Sequence, residues 1–320
     1  GPLRRPIAMI SFAVNYATTG DFIGAYKITN LAIHIINGLL VFAFLRLLLV
    51  AYSRLAEQQI KIRSAIFTPM VAALAASIWL LHPLNLTSVL YVVQRMTSLS
   101  AMFSLAAMIC YCLGRLRLQR QENRGWLFIG AGVPICIALS ILSKENGILT
   151  FPIIGLIEVC FFRLKTFKQR DRTILIAFFL LTLLLPAIFV IGSLLTNPNF
   201  ILGGYAGRPF SLVERLLTEA RVLWFYLSLV FLPRLNEFGL YHDDFVISTS
   251  IFHSFSTIAA VLAISFAIIL ALAAPKRWPL LTFAIGWYLV GHSLESSVIA
   301  LEIAHEHRNY LPSVGVLFAS

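Results

Sequence analysis

Apolar blocks of roughly 15 to 29 residues, separated by short charged segments, recur along the whole chain and limit its fold more than any other feature. A block of that length forms an α-helix able to cross about 30 Å of hydrocarbon, or slightly less where helices are short or tilted. The blocks lie at about 24–52, 65–81, 97–113, 126–142, 147–162, 173–195, 251–274 and 278–292, and a ninth begins near 310. Hydrophobic residues make up 59% of the 320 and charged residues only 12%, against about 45–50% and about 25% in a soluble domain. A water-soluble globule is therefore excluded. A closed barrel would show alternating segments of about ten residues, and none is visible. The expected fold class is all-α, a polytopic transmembrane bundle of about 8–9 spans forming a single domain over 1–320.

The net charge of +11 suggests a nucleic-acid footprint until the charges are located. Alternate loops, 53–64, 114–125, 163–172 and 275–277, hold Arg54, Lys61, Arg63, Arg115, Arg117, Arg120, Arg124, Arg163, Lys165, Lys168, Arg170, Arg172, Lys276 and Arg277, against Glu57, Glu122 and Asp171. The other loops carry acids and bases in near balance. The positive-inside rule makes the basic set cytoplasmic and leaves no reason to expect a nucleic-acid partner. Residues 1–23, 82–96, 143–146, 196–250 and 293–309 then face the periplasm or a lumen. The membrane is expected to be a bacterial inner membrane, or that of the endoplasmic reticulum in a eukaryote. Cys110, Cys112, Cys136 and Cys160 lie in apolar stretches, where a thiol behaves as a small hydrophobe.

Within the long 196–250 segment, Ser211-Leu212-Val213-Glu214 reads as a capping box. Phe210, Val213, Leu217, Ala220 and Trp224 follow at helical spacing, which fits an interfacial helix lying on the outer leaflet. The apolar run 222–232 is too short to span, and reads as re-entrant or packed under that helix.

Polar groups at membrane depth are expensive and point to a cavity, a pathway or helix-to-helix hydrogen bonds. Lys27, Asn30, His34 and Asn37 share one face of the first span, either as such bonds or as a cavity wall. His82-Pro83 ends the second span, because proline cannot continue the helix, and Arg95 opens the third. Ser143-Lys144-Glu145-Asn146 is a four-residue outer turn. His305 and His307 lack the spacing of a two-histidine zinc site, and no metal ligand is assigned. His242-Asp243-Asp244 could hold a divalent cation, although a solvated acidic loop is the plainer account.

The outer face thus combines the cations Arg95, Lys144 and Arg308 with the carboxylates Asp21, Glu145 and Glu306. Cations can stabilise a departing phosphate while a carboxylate takes a proton from an incoming hydroxyl.

Several motifs, taken in order, resemble one family. They are Arg5-Pro6-Ile7 with Ser11-Phe12 and Asn15-Tyr16, Asn30 with His34, His82-Pro83 leading to Arg95, Ser143-Lys144-Glu145-Asn146-Gly147, and Glu306 with Tyr310-Leu311-Pro312-Ser313-Val314-Gly315. The family is the transmembrane and tetratricopeptide-repeat (TMTC) O-mannosyltransferases and their bacterial relatives, in the GT-C glycosyltransferase class. Pro209 to Tyr226, then Pro233 and His242-Asp243, resemble its long outer loop.

The resemblance implies an inverting transfer, on the outer face, of a sugar from a polyprenyl-phosphate donor to a protein hydroxyl. Glu145, Glu306 and Asp21 are the catalytic candidates it leaves, with Arg95, Lys144, Arg308, His82, His34 and Asn30 around the donor phosphate. It also implies that a catalytic acidic pair and one more helix lie upstream of Arg5, and that a helical repeat domain follows on a longer chain. A transporter or flippase of a lipid-linked saccharide, and a non-catalytic membrane subunit of a larger complex, are the alternatives.

Overall fold

The computed structural model describes residues 5–55, 63–197, 199–239, 242, 245–252 and 254–319, so Glu57, Lys61, Asp243 and Asp244 lie outside the described residues. Those described are helical, with no strand. The helices used below are α1 (Pro6–Thr19), α2 (Ile23–Leu55), α3 (Arg63–Leu81), α4 (Arg95–Leu118), α5 (Gly125–Ser143), α6 (Glu145–Phe162), α7 (Gln169–Thr196), α8 (Leu212–Phe231), α9 (Phe255–Ala273), α10 (Pro279–His292) and α11 (Pro312–Ala319). Among the described residues, five segments are long and apolar enough to cross a membrane: α2, Val92–Leu118, α5, α6 and α9. A sixth joins them if Phe67–Leu81 and Pro83–Leu90, bent by 54°, count as one broken span. The apolar windows at 173–195, 278–292 and near 310 are also helical, as α7, α10 and α11.

Side-chain contacts sort the loops into two ends. Arg54 Nη1 donates to Gln119 Oε1 at 3.3 Å, Lys168 Nζ to Asn123 Oδ1 at 3.1 Å, and Arg163 Nη2 to the Lys276 carbonyl at 3.0 Å. These bonds gather all four basic loops at one end, called inner here. At the other end Arg5 meets Glu145, Lys144 meets Glu295, and His82 Nε2 lies 3.0 Å from the Val230 carbonyl. The alternation read from the charges therefore matches the way the loops group in space.

Two helices depart from expectation. α1 falls in a stretch read only as an outer loop. Proline at its first turn costs no hydrogen bond, and no charge interrupts it before Asp21. In α8 the capping box forms, with Ser211 N donating to Glu214 Oε2 at 2.7 Å and Glu214 N to Ser211 Oγ at 3.3 Å. The helix then runs unbroken to Phe231, so 222–231 is not a separate re-entrant segment. Of the apolar stripe, Phe210 and Ala220 are buried and Val213 is 62% exposed, and the polar Arg215, Thr218 and Glu219 are buried as well. Hydrocarbon outside the protein removes the usual reason to turn apolar side chains inward.

Near the inner end, the Arg115 guanidinium donates from Nε and Nη2 to both oxygens of Glu158, at 2.7 and 2.9 Å. Tyr111 Oη and Leu164 N donate to the same carboxylate. Both charged side chains are buried. Removing one partner of such a pair strands the other, which costs about 3–5 kcal/mol. Glu158→Ala is therefore expected to lower thermal stability in detergent sharply, and joint replacement by Arg115→Met and Glu158→Leu to recover much of it.

Candidate functional site at the outer end of the bundle

Lys144 ends α5 in an extended conformation, φ −157° and ψ 145°. The turn folds back tightly, because a Cβ on Gly147 would lie 2.5 Å from the Ser140 and Ile141 backbone, which only glycine permits. Lys144 Nζ is thereby buried against Glu295 Oε1 at 2.8 Å and Thr97 Oγ1 at 3.2 Å. An ammonium has three N–H donors, so one remains after those two bonds.

The segment that supplies Glu295 has no regular structure of its own, and Arg215 organises it. Arg215 is fully buried on α8 and donates to the carbonyls of Ser297 (3.0 Å), Glu295 (2.7 Å), Glu302 (3.3 Å) and Leu301, while pairing with Glu219 at 2.8 Å. Arg308 donates to the carbonyls of Ile303 and Glu302, each at 2.8 Å, and lies 3.8 Å from Glu219. Glu219 is thus a buried carboxyl between two guanidinium groups. Burial outweighs both cations and pushes its pKa up to about 7. For Glu295 burial also favours the neutral acid, but Lys144 and then Arg308 outweigh it and hold the carboxyl below the usual range. His307 is driven down to about 2 by burial and the nearby Lys144 charge, so its imidazole stays neutral.

Lys144, His307 and Arg308, with Thr97, Ser100 and Asn146, line a cavity of about 40 Å³. That is room for a few ordered waters. On the other side of His307 an open cleft of about 240 Å³ is lined by Thr87, Tyr91, Gln94, Gly239, His305 and Glu306. Glu306 is held there by the Gly239 N–H at 2.6 Å, with His242 Nε2 3.4 Å away. His307 borders both, so the cleft holds an anchored carboxylate and two imidazoles, and the cavity beside it holds two cations.

The other candidate residues lie in different settings. Arg95 is buried and fully engaged, donating to Asn30 Oδ1 (2.7 Å), the Ser11 carbonyl (3.0 Å) and the Tyr26 carbonyl (3.0 Å), with Phe12 stacked at 4.6 Å. It clamps α1 onto α2 and α4. His34 bridges Tyr310 Oη (2.7 Å) and the Leu80 carbonyl (2.9 Å), and Asn37 donates to Tyr310 Oη and the Ser98 carbonyl. Asn30, His34 and Asn37 therefore join helices, and none lines the cavity or the cleft. His82 links to α8 as described, Glu145 takes Arg5 on both oxygens at 2.9 and 3.2 Å, and Asp21 is exposed between α1 and α2.

Over 171 residues the chain is 27% identical to the Protein O-mannosyl-transferase TMTC2 of Homo sapiens. The matched region is 53% of this chain and 18% of that protein, so the chain spans about a fifth of the length of its curated relative. No family model matches, and no solved structure matches.

The sequence reading missed Arg215, Glu219 and Glu295. One signal was present: Arg215 and Glu219, four apart, meet on one helix face beside the apolar stripe.

Proposed function

We propose that this chain is the membrane domain of a GT-C-like glycosyltransferase, moving a sugar from a polyprenyl-phosphate donor to a protein hydroxyl at the outer face. The observation that carries the reading is the convergence of Lys144, Arg308, neutral His307 and anchored Glu306 on one cavity and cleft, in a chain similar to a protein named as an O-mannosyl-transferase. The cleft receives the donor headgroup. Its phosphate lies toward Lys144 and Arg308, which offset the charge that grows on it as the glycosidic bond breaks. Glu306, at the far side of the cleft, and Glu145, beside Lys144, are the carboxylates available to take the acceptor proton. Arg95, Asn30, His34 and His82 support this site through the helices they hold together.

The test is a reconstitution in liposomes with a radiolabelled polyprenyl-phosphate mannose. Polyprenyl phosphate should be released, and label transferred, only when a Ser/Thr-containing acceptor peptide is present. Movement of donor between leaflets without acceptor would favour a flippase, and neither result in the natural full-length chain would reject the transferase reading.

A further inference from the structure

A second concavity lies away from the candidate site and carries opposite chemistry. α9 and α10 are consecutive helices that meet at the turn 274–278, and α8 crosses them. Between the three is a groove of about 390 Å³ whose lining, including Leu227, Phe266, Leu270, Leu281 and Ile285, is almost wholly apolar. The polar side-chain atoms that reach it are occupied: Trp224 Nε1 donates to the Ala260 carbonyl at 3.3 Å and Tyr288 Oη to the Leu223 carbonyl at 2.6 Å. Nothing in it can hold a polar ligand. Leu262, Phe266, Ile269 and Leu272 leave the flank of α9 apolar and exposed, so in a bilayer the groove borders hydrocarbon.

The inner end of this groove is cationic. Lys276 and Arg277 are exposed in the turn that joins its two walls, six residues after Leu270 and four before Leu281. Arg163 is tied to that turn through the Lys276 carbonyl, and its Nε is buried without a partner. Among the described residues no acid pairs with any of these three cations. The described acids of this end are engaged elsewhere: Glu158 with Arg115, Glu122 with Arg117, and Asp171 with Trp126. An apolar slot one or two helical turns from three uncompensated cations complements a molecule with an acyl chain and an anionic head.

We propose that this groove binds one anionic phospholipid of the leaflet at the basic end, its acyl chain between α9 and α10 and its phosphate on Arg163, Lys276 and Arg277. The groove shares no lining residue with the cavity and cleft of the proposed transfer reaction, and its cations lie at the opposite end of the bundle from Lys144 and Arg308. A diffuse attraction of basic loops to an acidic membrane would explain the cations but not a retained, stoichiometric lipid.

The experiment is native mass spectrometry of the full chain released from nanodiscs of phosphatidylcholine mixed with phosphatidylglycerol. One phosphatidylglycerol should be retained in preference to phosphatidylcholine by at least tenfold, each cation near the head contributing about fivefold. Lys276→Gln with Arg277→Gln, both at exposed positions, should cut that preference to about fivefold, the share left to Arg163, without changing thermal stability. Ala267→Trp, or Ala263→Leu if tryptophan prevents folding, should fill the groove and remove the retained lipid while the cations stay. The proposal is overturned if the charge variant keeps its preference, if the groove variant keeps its lipid, or if soluble glycerol phosphate binds as tightly as the lipid.

Discussion

Replacing Lys144 with glutamine is expected to lower acceptor-dependent release of polyprenyl phosphate by roughly two to three orders of magnitude, the usual cost of removing one preorganised donor to a developing oxyanion. The same change strands Glu295, a buried carboxylate whose charged partner is this ammonium at 2.8 Å, and breaking such a pair costs about 3–5 kcal/mol. Lost activity alone would therefore be ambiguous. The double variant Lys144→Gln with Glu295→Gln separates the two effects, because two neutral amides of similar shape can hydrogen-bond where the ions did. Thermal stability should return close to that of the parent, and transfer should not. If transfer returned together with stability, Lys144 would be a structural anchor and the cations would have no direct part in the reaction.

The all-helical, membrane-crossing character was legible because hydrocarbon imposes a length on each helix and the charges sort the loops, whereas five or six described segments, not 8–9, are long and apolar enough to cross. The contacts Arg54 to Gln119, Lys168 to Asn123 and Arg163 to Lys276 join the segments that the positive-inside rule grouped. Lys144 was legible for a related reason, since a charge in a short turn between apolar blocks must find a buried partner. The partner itself was not, because Glu295 lies 151 residues away in a segment without periodicity. Asn30, His34 and Asn37 illustrate another limit: spacing placed them on one face, but only the positions of Val89, Leu80 and Tyr310 decided that they join helices. In α8 the capping box was legible and the buried charges were not. Amphipathic reading assumes water outside, and here Val213 faces outward while Arg215 is satisfied by carbonyls of a loop some 80 residues away.

The buried Glu219 carboxyl should make stability depend on pH in the opposite sense from an ordinary ion-paired acid. Its ordinary pKa is 4.5, and in the fold burial raises it to about 7. Below pH 4.5 the group is protonated in both folded and unfolded chains and has no effect. As pH rises from 4.5 toward 7 the unfolded chain gives up this proton while the fold retains it, so the folded state binds more protons and loses relative stability. The loss is on the order of 3 kcal/mol, complete above pH 7. Glu295, held below its ordinary range by Lys144 and Arg308, acts in the other direction: its contribution is present above pH 4.5 and is lost as pH falls below that. Histidines held neutral by burial, such as His307, add stability as pH rises toward 6.5 in both proteins, so the test is the difference: the melting temperature of the parent relative to Glu219→Gln, whose amide carries no proton to lose, should fall as pH rises from 5 to 7. An equal slope in both proteins would mean that Arg215 and Arg308 keep Glu219 ionised throughout, and that the charge between them is fixed.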